Sequence, residues 1–238
     1  MDSTKQIARL AGVLYLLLVI GGVFSLMYVR GAVIVPGDAA ATTESILDHA
    51  TMLRIDLVVG QVSMVVFMLV ALLLYQLLKH VHHVLAALMA LVVLVHLPQG
   101  LVTLLLQFGA LEMAHGEGFL ATLDPAQREI MAALCLHLVG KSAILSEFSW
   151  GLWLLPLGAL VYRSGFLPRF LGIWLILNGL AYMILSFLGI FAPTAGTLLS
   201  KYAFPILLGE VALTVGLLYV GFRPTRPDTQ PSDRRSGS

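Results

Sequence analysis

Six uninterrupted apolar runs, each about 20 residues or longer, constrain this chain more than any other feature. A helix needs about 20 mostly apolar residues to cross a hydrocarbon core of roughly 30 Å, so every run is long enough to span a bilayer. Charge content agrees: 11% of residues are charged, where a soluble domain carries about 25%. Barrel strands alternate apolar and polar residues over about ten positions, and continuous runs do not fit that pattern. The expectation is an all-α polytopic membrane protein, a bundle of six transmembrane helices over about 7–29, 54–78, 83–109, 129–162, 168–191 and 202–222, making one domain of residues 1–222. The first run, Ile7 to Val29, is longer than the roughly 7–15 residues of a signal-peptide core and no A-x-A site follows, so it reads as a retained first helix. Residues 223–238 are rich in Pro, Ser, Asp and Arg and cannot bury enough surface to fold, which predicts a disordered cytoplasmic tail.

Loops rich in Lys and Arg stay cytoplasmic. With the N-terminus inside, the inner face receives nine basic residues, among them Lys5, Arg9, Lys79, Arg163 and Arg169, and the outer face receives only Arg30, Arg54, Arg128 and Lys201. Both termini are then expected in the cytoplasm of a bacterial inner membrane. The long connections 30–53 and 110–128 fall outside, and each carries helix-start chemistry. Asp38 precedes Ala39-Ala40-Ala41, and Asp124-Pro125-Ala126-Gln127 sets an N-cap, a first-turn proline and a capping-box acceptor in register, so both outer loops are expected to be partly helical. Inner connections are short, as at 79–82 and 163–167, which predicts tight hairpins.

Polar residues inside the runs mark the candidate site. In the third span His96, Gln99, Gly100, Thr103 and Gln107 recur at i, i+3, i+4, i+7 and i+11, which at 100° per residue confines them to one stripe. Pro98 removes a backbone donor in the same turn. The fourth span holds His137, Lys141, Ser142, Ser146, Glu147 and Ser149. Lys141 and Glu147 are six apart, about 120° around the helix and roughly 9 Å along it, so they cannot pair with each other on the helix. An unpaired charge at mid-membrane costs at least about 2.5–3.5 kcal/mol, which predicts a partner from another helix for each. Asp56 at the outer end of the second span and Glu210 near the centre of the sixth are the candidates, with Asn178, Tyr182 and Ser186 as a polar line on the fifth. If these stripes converge they form a polar pocket open to the outside that binds or conducts a small solute, ion or lipid headgroup, with Lys141 as positive anchor, Glu147 and Glu210 as counter-charges or proton acceptors, and His96, Gln99, His137 and Asp56 completing the ligand-binding set.

The alternatives have physical content too. Intramembrane Gln, Asn, Ser and Thr commonly bond between helices, and Gly21, Gly22, Ser25, Gly179, Gly209 and Gly216 permit close helix packing with no ligand. His96 and His137 with a carboxylate have the donor types of a catalytic zinc site, but no HExxH or paired-histidine spacing lies within one helix, and no metal is expected. His80, His82 and His83 read as an interfacial cap at an inner hairpin. No Walker A, GxGxxG, GxSxG or CxxC sequence occurs, so nucleotide binding, serine-hydrolase chemistry and thioredoxin-like redox chemistry lack motif support, and the cofactor is unknown. The single cysteine, Cys135, rules out an internal disulfide. A net charge of +1 without clustered basic residues in the spans argues against nucleic acid as a partner. Membrane lipids and a small-molecule or lipid ligand are the expected partners, with an intramembrane lipid-directed enzyme or a non-catalytic membrane subunit as the other readings.

Arg9-Leu-Ala-Gly-Val-Leu-Tyr15, Ile34-Val-Pro-Gly-Asp-Ala39, Tyr162-Arg-Ser-Gly-Phe-Leu-Pro-Arg169 with Gly172, and Gly209-Glu210 resemble a bacterial membrane family known as domain of unknown function 4386. The likeness extends to about Phe222 and is most specific at the Tyr162–Arg169 hairpin. It implies a six-helix bacterial inner-membrane protein and assigns no biochemical role.

Overall fold

The computed structural model describes residues 2–223, so the expected tail from Pro224 onward lies outside the described residues. Within them the elements are α1 (Asp2–Val23), a π-helical segment (Phe24–Val29), α2 (Arg30–Val33), α3 (Ala39–Asp48), α4 (Ala50–Leu78), α5 (His83–His115), a 3-10 turn (Gly118–Thr122), α6 (Pro125–Ser164), α7 (Arg169–Phe191), α8 (Pro193–Leu207) and α9 (Gly209–Phe222). Six helical stretches are long and apolar enough to cross a membrane. Their order matches the six runs, with one correction. The sixth run is not a single helix from 202 to 222: Leu208 interrupts it at φ −75° and ψ 0°. Pro205, in the last turn before the break, has no N–H to donate to the helical ladder.

The two connections with helix-start chemistry fold as their sequences require. Asp38 accepts from the Ala41 N–H at 2.9 Å and caps α3. Asp124 accepts from the Ala126 N–H at 2.9 Å and starts α6, with Pro125 in its first turn. At the opposite end Gly165, at φ +62°, closes α6 in the left-handed conformation, and Pro168 precedes α7.

α6 is the hub. Over half of its most apolar window is buried, 56% against 28% or less in the other five spans. At about 1.5 Å per residue its 40 residues reach about 60 Å, so it projects beyond a bilayer and gives α3 a surface to pack on. Against α7 it packs with almost no side chain between the backbones. A methyl group placed on Gly158 would lie 2.7 Å from the Gly172 carbonyl oxygen, and one on Gly179 would lie 2.8 Å from the Gly151 carbonyl oxygen. Gly151 and Gly158 are seven residues apart, as are Gly172 and Gly179, so one face of each helix is smooth over two full turns.

The buried apolar side chains form two clusters. One, near the Lys79 hairpin, gathers Leu74, Met89, Trp153, Leu157, Leu175, Leu213 and Leu217. The other, near α3, gathers Val29, Val33, Ile46, Leu53, Leu111 and Leu136. Members of both clusters border the cavity that separates them.

Candidate functional site

That cavity holds about 590 Å³, within the roughly 300–1,000 Å³ typical of small-molecule sites. α1 with its π-helical continuation and α2, α4, α5, α6, Tyr182 of α7 and the α8–α9 break enclose it. Most of the wall is aliphatic, and the polar groups sit in three places.

The first is the broken sixth span. Interrupting a helix within a membrane leaves carbonyls that need donors from protein, and α7 supplies them: Trp174 Nε1 donates to the Ile206 carbonyl at 3.0 Å and Asn178 Nδ2 to the Leu207 carbonyl at 3.4 Å. The break places Glu210 in the first turn of α9, where the helix dipole favours negative charge. Tyr15 Oη donates to Glu210 Oε2 at 2.5 Å, and the Tyr182 hydroxyl faces the same carboxyl. Tyr15 is 3% exposed, so Glu210 meets the requirement of a hydroxyl that has no access to water.

The second is His96, whose two ring nitrogens are both occupied. Trp150 Nε1 donates to Nε2 at 3.1 Å. Indole is a donor only, so Nε2 accepts and the proton sits on Nδ1, 2.9 Å from Ser149 Oγ. Ser149 in turn donates to Gln99 Oε1 at 2.8 Å. Phe67 stands edge-on to both His96 and Trp153, with centroids 5.9 and 5.0 Å away. His96 is thus a fixed, neutral wall element, with Gln99 behind it holding the serine.

The third lies at the α3 end. Asp56, 4% exposed, accepts from Gln107 Nε2 at 2.7 Å and from Ser25 Oγ at 3.2 Å, both on Oδ2. Its Oδ1 has no hydrogen-bond partner. Arg30 borders the same end of the cavity.

Of the residues singled out in the sequence, Asp56, His96 and Glu210 therefore share one cavity, joined by Gly100, Thr103 and Gln107 of the α5 stripe. Lys141 and His137 do not: both are exposed on α6. The cavity face of α6 runs through Leu136, Val139, Ala143, Ser146, Trp150 and Trp153 at alternating steps of three and four. Lys141 is two residues, about 200°, from Val139 and points the other way. Glu147, one residue beyond Ser146, is half-buried beside this face and lies outside the cavity lining. Neither Lys141 nor Glu147 forms an ion pair with another described residue, which corrects the expectation of a partner for each; Lys141 instead has a surface position from which its long stem can reach the membrane interface. Among the described residues no three His, Cys, Asp or Glu side chains gather as a metal-binding group.

Tyr15, Ser25, Arg30 and Trp150 were not expected to serve a site. Trp150 is one step past Ser149 on a helix already marked as polar, and its i+4 spacing from Ser146 was the available signal. Arg30 gave no such signal.

A sequence profile for a domain of unknown function (DUF4386) matches residues 10–221. The chain belongs to the DUF4386 family. The match covers all six spans of this DUF4386 chain apart from the first turns of α1 and Phe222, the last residue of α9. No match was found among curated proteins or among solved structures.

Proposed function

We propose that this DUF4386 chain is a bacterial inner-membrane binding protein that takes an amphiphilic small ligand from the bilayer into the cavity between its two apolar clusters. The observation that carries this reading is the combination of an aliphatic wall with Asp56, His96 and Glu210 in one 590 Å³ space. The way in is lateral. α1 and α9 touch near their Arg9 and Gly221 ends, where Arg9 donates to the Gly221 carbonyl at 3.0 Å. They stay in contact as far as Tyr15 and Glu210; beyond that point the cavity lies between the first span and the α8–α9 break, and its lining residues Val23, Leu26 and Met27 are 53%, 49% and 72% exposed. Apolar rim residues at a lateral opening suit a ligand that arrives dissolved in lipid.

Basic residues favour placing both termini and the Lys79 hairpin in the cytoplasm. The Asp56 end of the cavity then lies in the outer half of the membrane, and the pocket is accessible from the outside.

Gly22 provides the test. It lines the cavity, and a Cβ at this position would meet nothing within 4 Å. Gly22→Phe should fill the space without disturbing helix packing. The expected outcome is an unchanged melting temperature in detergent with amphiphile adducts, read by native mass spectrometry, weakened by about tenfold or more, the equivalent of about 1.4 kcal/mol. Undiminished adducts on a folded Gly22→Phe protein would overturn the reading.

A further inference from the structure

The α3 end of the cavity carries two opposite charges that do not neutralise each other. Arg30 forms no side-chain hydrogen bond or ion pair with another described residue, and its guanidinium reaches across to α6, where Gly140 leaves room for it: a Cβ on Gly140 would lie 3.0 Å from Arg30 Nη2. Asp56, on α4, keeps Oδ1 without a partner although the side chain is 4% exposed. Gln107 and Ser25 fix the carboxylate through its other oxygen.

The backbone is built to bring these groups together. In an α-helix Ser25 and Arg30 would be about 140° apart at 100° per residue. Over Phe24–Val29 the chain is π-helical, and the Arg30 N–H bonds to the Ser25 carbonyl, an i→i+5 link that stacks residue 30 over residue 25. Ser25, which touches Asp56, and Arg30 therefore look into the same space.

We propose that this end is the headgroup site for an amine-bearing phospholipid, with Arg30 taking the phosphate and Asp56 the adjacent ammonium. Guanidinium matches phosphate as a forked, permanently charged donor, and a buried carboxylate with a free oxygen calls for a cation. A zwitterion with both charges a few atoms apart answers both groups at once, whereas a purely anionic head leaves Asp56 unanswered. The source is a lipid because the rest of the wall is aliphatic and opens sideways, so acyl chains can run along Leu26 and Met27 into the bilayer. This rests on the cavity being a ligand site.

The full chain in mild detergent is titrated with dioleoyl phosphatidylethanolamine, dioleoyl phosphatidylglycerol, N-acetylated phosphatidylethanolamine and tail-free glycerophosphoethanolamine, with adducts read by native mass spectrometry. The amine-bearing lipid is expected to bind about tenfold or more tightly than the other three, the size of effect one charge-assisted hydrogen bond produces. Arg30→Gln should weaken all three two-chain glycerophospholipids by a similar factor. Asp56→Asn should lower the amine-bearing lipid to the level of phosphatidylglycerol and leave phosphatidylglycerol unchanged. If Asp56→Asn fails to fold, native protein with the N-acetylated lipid removes the same interaction from the ligand side.

Equal binding of amine-bearing and N-acetylated lipid would overturn the ammonium role, and unchanged adducts with Arg30→Gln would overturn the phosphate role. Tail-free headgroup binding as well as the lipid would overturn the lipid source. In each case loss of adducts with Gly22→Phe would still leave the cavity as a ligand site, while adducts indifferent to Gly22→Phe would remove that broader reading instead.

Discussion

Gly172→Ala is expected to destabilise the protein by about 2 kcal/mol, measured by reversible unfolding in mixed micelles, and Gly172→Leu by more. A Cβ at this position would lie 2.6 Å from the Gly158 carbonyl oxygen, 2.6 Å from the Tyr162 backbone nitrogen and 2.7 Å from the Tyr162 Cβ. None of these atoms belongs to a flexible side-chain end, so α6 and α7 would have to move apart as bodies. Overpacking typically costs about 1–3 kcal/mol, and the better helix propensity of alanine returns at most about 1. Because α6 is the hub, separating it from α7 also disturbs the wall that carries Ser146, Trp150 and Tyr182. Gly31→Ala is the matched control. Gly31 is helical and a Cβ there meets nothing within 4 Å, so the substitution should be neutral or stabilising. Equal losses at both positions would show that close helix approach is not what Gly172 provides.

Glu210→Leu is the second large effect, an expected loss of about 1–3 kcal/mol. Intramembrane hydrogen bonds average about 0.6 kcal/mol and reach about 1.7, and two tyrosine hydroxyls face this carboxyl. Leucine leaves the Tyr15 hydroxyl, on a side chain 3% exposed, without its acceptor and removes the carboxyl beside Tyr182. Glu210→Gln retains an oxygen acceptor and should stay within about 1 kcal/mol of the native protein. A double-mutant cycle with Tyr15→Phe isolates the shared interaction. Zero coupling between Tyr15 and Glu210 would mean that the carboxyl is not held by that hydroxyl.

The fold was legible wherever a single period governs the chain. Continuous apolar runs determine spans, and Asp38 and Asp124 are read as caps because capping depends on neighbours within one turn. The α5 stripe was legible for the same reason, since His96, Thr103 and Gln107 remain on one face despite Pro98. Lys141 and Glu147 stood out for their charge, but charge alone does not say which way a residue points on α6. Interruptions were the other blind spot. Pro205 is visible in the sequence, yet the turn at Leu208 depends on Trp174 and Asn178 reaching over from α7 to take the freed carbonyls. Gly151, Gly158, Gly172 and Gly179 are individually ordinary, and they become a packing face only once α6 and α7 are antiparallel neighbours in the right register.

The π-helical segment has a consequence for comparing members of the family. Hydropathy profiles average over a window and are blind to where within it a residue is added or removed. A relative one residue shorter between Phe24 and Arg30 would keep the same first span by every measure of apolarity. Wound as an α-helix, it would set its arginine four positions after the serine, about 40° around the axis, and still turn it toward Asp56, whereas a chain of unchanged length wound as an α-helix would turn its arginine about 140° away. Two chains of equal length, indistinguishable as membrane anchors, would then offer their ligands different charges, and the winding between the serine and the arginine is the feature that separates them.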